Sequence, residues 1–424
     1  MDESPADRCG YTWPDDAESR GRSANENPTR QSCCYRETAP SSDQCVWHAD
    51  PENGDERTVE TLRNARPPPE QREQHSPYRE LLDGANLSGL ELGAGLSFEG
   101  TALRHADFSH ATLQNADFTG ADLRHADFTG TDLREATFTG ADLRGATLAR
   151  GTLGQADLTD ATLRRADLTG ADLQRATLTR VSLWDADLSR ASLRDADLTS
   201  GNLRGATLSD AVLFRATLTD AVLFRAVLLD ADLREADLSG ANLRGTALSK
   251  ADLRQTGLMG VTVSQTTECG RQTRAQADAR SASDWDEIAQ AYHELVSTFS
   301  DHGLVGKARA HYLLEREARG EEARADGDRW GYLGSLASRY LTGYGVDYRR
   351  VLVVMGLVFG LSTLWYWIVE LETNVLYFSV VTFTTAPPTI PADSPTQAVA
   401  MVETFVGTLL VVLLGYVLGN REQF

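Results

Sequence analysis

From Phe98 to Leu258 a leucine or phenylalanine stands at every fifth position without a miss, and Val263 follows in phase. Phe108, Phe118, Phe128 and Phe138 are early aromatic members of this column, and leucine holds it afterwards. Two residues before each comes a small residue, usually alanine, from Ala106, Ala111, Ala116 and Ala121 on to Ala251. A period of five fits neither an α-helix, which repeats every ~3.6 residues, nor a flat strand, which alternates every second residue. It fits a chain that turns a corner every five residues and stacks on itself. The large and the small residue then both point inward, and the residues between them point out. Leu82, Leu87 and Leu92 keep the period one residue out of phase, so the array begins near residue 80 with one inserted residue.

ADLRH at 121–125, ADLTG at 166–170 and ANLRG at 241–245 carry an A-[DN]-L-x-x signature. In this the chain resembles the pentapeptide-repeat family over residues 81–264. The resemblance implies a right-handed quadrilateral β-helix with about twenty residues per coil. At about 4.8 Å between stacked strands, roughly eight coils make a rod about 40 Å long. Burial of the inward column is its main source of stability, at about 1.5–3 kcal/mol for each large apolar side chain.

The outward positions carry the surface chemistry. Arginine follows the central leucine on many repeats, at Arg124, Arg134, Arg144, Arg164, Arg194, Arg204, Arg234 and Arg244. Asp or Thr usually precedes that leucine, so stacking sets the charges in ladders of mixed sign, a solvated face. Trp184, Phe214 and Phe224 interrupt the arginines. Exposed aromatics of this size often mark contacts, although at twenty residues per coil Phe214 and Phe224 fall on opposite faces. The repeats hold no array of nucleophile, base or phosphate-binding loop, and the chain does not read as an enzyme.

Residues 1–80 are polar and aperiodic and end near the Pro67-Pro68-Pro69 run, which suits a small irregular module plus a linker. They contain Cys9, Cys33, Cys34, Cys45 and His48, and the Cys45-x-x-His48 spacing lets two ligands reach one tetrahedral zinc. A structural zinc would supply the stability that so polar a segment lacks; the other reading is a tail with reduced thiols. No apolar signal peptide opens the chain, so these parts are expected in the cytosol, where structural disulfides are rare. The net charge is -20, and Lys250 and Lys307 are the only lysines among 41 basic residues. That balance suggests a halophilic cell with a salty interior, where the Debye length shrinks to about 3 Å at molar salt. There is no basic footprint for nucleic acid.

Residues 265–345 open with a linker and switch to a helical period at 283. Trp285, Ile288, Tyr292, Leu295 and Phe299 recur at spacings of three and four. Ser283 is the expected cap, with Asp286 three residues later, and Gly303 ends the helix. A second helix, around 305–322, carries Ala308, Tyr312 and Leu314. The pair reads as a helical hairpin, either an oligomerisation or coupling module or a spacer. The aromatics and arginines of 330–350 suit a membrane–water boundary.

Residues 346–424 complete this multidomain chain. Val351 to Val369 is a run of 19 residues without a charge, and Ala398 to Leu418 is a run of 21 with Glu403 alone charged. Either is long enough to cross a bilayer core of about 30 Å as a helix. Arg349, Arg350 and Arg421 flank the pair, whereas the segment between holds Glu370, Glu372 and Asp393 and no basic residue. The positive-inside rule therefore puts both termini in the cytosol. A short helix from Thr373 or Asn374 to Thr384 or Thr385 is too short to span, so a re-entrant helix is expected.

This order of span, re-entrant helix, polar loop and span resembles the two-helix pore module of the potassium-channel superfamily. YFSVVTFTT at 377–385 carries the likeness, as does the Glu403 and Gly407 spacing in the second span. The resemblance implies a homo-oligomer, four chains around one axis. Potassium filters carry T-x-G-Y-G, whose carbonyls line the pore. Here Thr385 and Ala386 are followed by Pro387, Pro388 and Thr389. Proline fixes φ near −65° and removes an N–H, so the carbonyl ladder does not carry over. A ring of Thr384 and Thr385 hydroxyls remains, with an acidic outer mouth of Glu370, Glu372 and Asp393. The expectation is a two-span pore-loop ion-channel-like protein of the cell membrane, cation-preferring or poorly selective, or closed by its Pro-rich loop. Its β-helix would serve as cytosolic sensor or tether. The alternative is a membrane-anchored scaffold that does not conduct and whose rod takes a cytosolic protein partner.

Overall fold

The computed structural model describes residues 80–92, 97–270, 275–276, 279–344, 347–369, 375–384 and 394–421. The N-terminal module expected to hold Cys9, Cys33, Cys34, Cys45 and His48 lies outside the described residues. The chain divides into two compact units, before and after residue 274.

The first unit is the coiled array that the period of five demands. Asp107 pairs with Asp127, Asp127 with Thr147 and Thr147 with Asp167, always parallel and twenty residues on, and the same holds on each of four sides. Each coil bonds to both neighbours. The Leu143 N–H, for example, donates to the Thr162 carbonyl at 2.7 Å, and the Thr162 N–H donates back to Ala141 at 2.9 Å. At the start the register is twenty-one: Glu80 pairs with Thr101 between β1 (Glu80–Leu81) and β2 (Thr101–Ala102), and Asn86 pairs with Asp107. From Ser97 and Asp117 onward it is twenty, so the inserted residue lies where the change of phase put it. A second offset at the other end pairs Ala247 with Glu268 and carries the array a few residues past 264.

The interior is the leucine and phenylalanine column together with the alanines, nearly all fully buried. Phe98, Phe118 and Phe138 stack on one another at 5.0 and 4.9 Å, as do Phe108 and Phe128 at 4.7 Å. The two stacks meet edge to face at 5.6–6.0 Å. Alanine two residues earlier leaves room for these rings. Every fifth residue from Gly100 to Gly260 adopts a positive φ, and 23 of these corners carry a residue other than glycine. A left-handed corner costs a non-glycine residue about 1–2 kcal/mol. The hydrogen bonds on both sides of each coil hold it there.

The second unit is helical. Helix α1 (Ala282–Asp301) buries Ile288, Tyr292, Leu295 and Phe299 of the predicted stripe, with Ala289 and Ala291 beside them, and leaves Trp285 half-buried. Its cap is Ser281 rather than Ser283. Ser281 Oγ accepts from the Asp284 N–H, and the Ser281 N–H donates to the Asp284 carboxylate at 2.8 Å. Both serines have an acid three residues on, but Asp286 is engaged by Gln290 and Arg319 and cannot close the second box. Gly303 does end the helix, at φ +67°. Helix α2 (Val305–Ala325) returns along α1 with Ala308, His311 and Ala318 buried and Tyr312 and Leu314 half-buried, and the His311 ring lies 5.1 Å from that of Phe299. Helix α3 (Arg329–Leu341) follows, tied to α2 by an Arg339–Glu317 ion pair at 3.2 Å.

Candidate functional site

Among the described residues two helices are long and apolar enough to cross a membrane: α4 (Tyr348–Ile368) and, after the short α5 (Val375–Thr384), α6 (Ser394–Arg421). Only 17% of the apolar window in the first and 22% in the second is buried. A core helix of a water-soluble protein would be mostly covered. Here Leu357, Leu361, Trp367, Val402, Phe405 and Val412 are among many exposed apolar side chains.

The two long helices run antiparallel. Val351 near the start of α4 clusters with Val417 near the end of α6, while Tyr366 at the far end of α4 reaches Glu403 in the first third of α6. Arg349, Arg350 and Arg421 therefore share one end of the pair. Arg350 also donates to the Arg339 carbonyl at 2.7 Å, linking α3 to α4.

Glu403 is the one charge in its apolar run, and it is 1% exposed. Tyr366 Oη donates to its Oε2 at 2.7 Å, and Ser379 Oγ donates to its Oε1 at 2.7 Å. Thr363 Oγ1 stands 3.0 Å behind Ser379 Oγ. One carboxyl group thus joins all three helices, and its burial is tolerated because both oxygens have a hydroxyl partner. Four residues on, Gly407 receives α5: a Cβ there would collide with the Phe383 carbonyl oxygen. Small residues allow such close helix contacts. Phe383 also meets Phe359 edge to face at 6.2 Å. Phe359 and Gly407 lie midway along α4 and α6. The short helix therefore starts beside the Tyr366 end of α4 and finishes beside the middle of both long helices.

Of the residues singled out in the sequence, Glu403 and Gly407 meet in this cluster, and Thr384 is the last residue of α5. Thr385, Ala386, Pro387, Pro388, Thr389, Glu370, Glu372 and Asp393 lie outside the described residues. Thr363, Tyr366, Ser379 and Phe383 were not singled out. The signal that would have found three of them is general: a lone acid in an apolar span needs donors, and Thr363, Tyr366 and Ser379 are polar groups in the segments that flank it.

The surface of the rod is a second candidate. Where Asp precedes the inward leucine and Arg follows it, both point outward and clasp: Arg124 with Asp122, Arg134 with Asp132, Arg144 with Asp142 and Arg234 with Asp232, at 2.6–2.7 Å. The Arg134 guanidinium beside it holds the Asp132 carboxyl well below the usual range. On another side Asp157, Asp197 and Asp237 are also held low: against the opposing effect of burial, Thr159, Thr199 and Ser239 two residues on hydrogen-bond to them through side chain and backbone N–H, and hydroxyls of Thr139, Thr179 and Thr219 add a bond from the preceding coil. Trp184 and Phe224 share one side of the coil and Phe214 the opposite one, and each ring lies between two arginines.

Comparison with known proteins identifies the rod. Pentapeptide repeats match in overlapping stretches between residues 102 and 255. No curated protein matches the chain. Among solved structures, it is similar to HetL, a pentapeptide repeat protein involved in heterocyst differentiation regulation in Nostoc sp. PCC 7120. The identity is 31%, over 48% of this chain and 91% of HetL, with a TM-score of 0.38. A pentapeptide repeat protein of the Arabidopsis thaliana thylakoid lumen is 31% identical over 28% of this chain and 71% of its own, with a TM-score of 0.15. QnrB1, a plasmid-mediated fluoroquinolone resistance protein, is 19% identical over 44% of this chain and 92% of its own, with a TM-score of 0.30. On its repeats, the chain belongs to the pentapeptide-repeat family.

Proposed function

We propose that α4, α5 and α6 form a two-span pore-loop unit in a membrane, cation-preferring or poorly selective, with the β-helix as a cytosolic sensor or tether. The observation that carries this reading is the level at which α5 stops. At 10 residues it is about 15 Å long and cannot span. Its last turn packs beside Gly407 and Phe359, halfway along the two apolar helices. Backbone that ends at such a depth is tolerated where protein or a water-filled cavity receives it. The C-terminus of the helix, the negative end of its dipole, lies at that depth, which favours a cation there.

Thr384 and Thr385 then offer hydroxyls at the constriction. Glu370, Glu372 and Asp393 form an acidic outer mouth, while Pro387 and Pro388 preclude a potassium-type filter. Arg349, Arg350 and Arg421, at one end of the pair, put both termini in the cytosol. The exposed Trp330, Leu333 and Tyr340 of α3, just before the first span, suit the headgroup layer. By analogy with the channel superfamily, four chains surround the axis.

The test is ion flux. Purified protein in liposomes should pass cations down a salt gradient, and Thr385→Trp should reduce that flux severalfold. Absence of flux under any gradient, or a monomeric mass for the detergent-solubilised protein, removes the channel reading and leaves an anchored rod.

A further inference from the structure

The rod does not spread its carboxylates evenly. On the side that begins with Asp122 and Asp142, an aspartate precedes the leucine and clasps Arg124 and Arg144. From the next coil onward Thr162, Ser182, Asn202, Val222 and Asn242 take that place in turn. The arginines persist at Arg164, Arg204 and Arg244. Among the described residues no carboxylate comes within 4.0 Å of these three or of Arg225.

Aromatic rings hold these guanidinium groups instead. Trp184 lies between Arg164 and Arg204, at 4.0 and 5.6 Å, and Phe224 lies between Arg204 and Arg225, at 5.2 and 5.1 Å. The opposite side supplies an internal control. Phe214 is flanked by Arg194 and Arg234 in the same manner, at 4.9 and 5.4 Å, but those arginines have Asp195 and Asp232 at 3.6 and 2.6 Å. Stacking fixes a guanidinium plane and leaves its N–H edges open to a carboxylate.

We propose that the side of the rod from Arg164 to Arg244 is a docking strip for an extended, glutamate- or aspartate-rich segment of a partner protein. Four coil steps of about 4.8 Å give the strip a length of about 19 Å, which about six residues of extended chain cover. Its width decides the partner. Asp157, Asp197 and Asp237 line one neighbouring side, and Asp167 and Asp187 the other. A polyanion broader than a single extended chain, such as a nucleic acid, would run onto those carboxylates. The strip's residues are independent of whether the apolar helices conduct.

Fluorescence anisotropy of labelled poly-glutamate with the full chain in detergent, at about 0.1 M salt where the Debye length is about 10 Å, tests this. The triple variant R164Q/R204Q/R244Q should weaken binding by about tenfold or more, since it removes three of the four guanidinium groups that no carboxylate approaches. The double variant N202D/N242D should weaken it comparably with every arginine in place. It restores the clasp seen at Asp122 and Asp142, and the Asn202 and Asn242 side chains already accept the backbone N–H groups of Arg204 and Arg244 at 3.2 Å, as an aspartate there would, so the backbone is unchanged. The triple R134Q/R194Q/R234Q, with the same loss of charge on the opposite side, should change binding by less than about twofold. Equal weakening by both triples, tighter binding of poly-uridylate than of poly-glutamate, or no binding by the unaltered protein would each overturn the proposal.

Discussion

Between Phe98 and Leu258 the rod secures its interior by repetition: a leucine or phenylalanine, a small residue that is usually alanine, and coil-to-coil hydrogen bonds recur every five residues. The α4–α6 cluster rests on single, unlike contacts: one carboxylate with two hydroxyl donors, and one glycine against one carbonyl. A repetitive array shares its load among neighbours, as expected where stability is a sum of repeats and their interfaces. A cluster of unique contacts has no substitute for any member. Loss of one outward side chain should therefore be nearly silent in the rod, whereas loss of one polar group should be felt throughout the cluster.

The largest effect tests the limit of the rod's tolerance. Leu183 is fully buried in the middle of the stack. Leu183→Asp would place a carboxylate where no partner can reach it, at a cost above about 4 kcal/mol. Limited proteolysis of the full chain should then cut within residues 98–263, where the unaltered rod should resist. Gln174→Ala, on the outer face, should stay within about 0.5 kcal/mol of the parent. Resistance retained by Leu183→Asp would mean that the stack tolerates local opening, and the contrast with the helical cluster would weaken.

In the helical unit Glu403→Leu takes away the carboxylate to which the Tyr366 and Ser379 hydroxyls donate, at about 1–3 kcal/mol for each lost bond. Hydrogen exchange at residues 379–384 should accelerate by about tenfold or more, given about 1.4 kcal/mol per tenfold. Glu403→Gln retains an acceptor for one hydroxyl and offers a donor to the other, so its exchange should lie close to the parent's. Equal acceleration by both variants would assign the effect to charge rather than to the hydrogen bonds, and the view of the cluster as a set of unlike contacts would need revision.

The legibility of the two regions differs for the same reason. The coil could be read because one side-chain pattern, repeated from Phe98 to Leu258, admits one geometry, and even the inserted residue before Phe98 showed as a change of phase. The left-handed corners were less plain. Gly120 and Gly140 announce them, but Arg165, Arg175 and Arg190 occupy the same conformation, because the hydrogen bonds of the coil rather than local preference fix φ. In the helical unit the two apolar runs were plain, and Glu403 and Gly407 stood out as exceptions within one of them. Their partners Thr363, Ser379 and Phe383 did not, since a hydroxyl or a ring in an apolar helix carries no period. Ser281 in place of Ser283 makes the same point on a smaller scale: two boxes fit the local spacing, and Arg319, 33 residues from Asp286, decides between them.

The smallest effect separates a surface pair of the rod from its interior. Arg134 and Gln114 hold the Asp132 carboxylate, and its pKa lies below the ordinary aspartate value of 3.8. A carboxyl depressed in the folded state contributes stability above its unfolded pKa and loses it as pH falls toward the folded one. Because the pair is partly exposed, the contribution is about 1 kcal/mol or less. Asp132→Asn should thus lower the rod's resistance to denaturant slightly at pH 7, and the gap from the parent should close as the pH falls below about 4. A gap that persisted unchanged at low pH would show that the side chain acts through packing rather than charge. The rod's outer face would then share the sensitivity to individual contacts assigned here to the helical cluster alone.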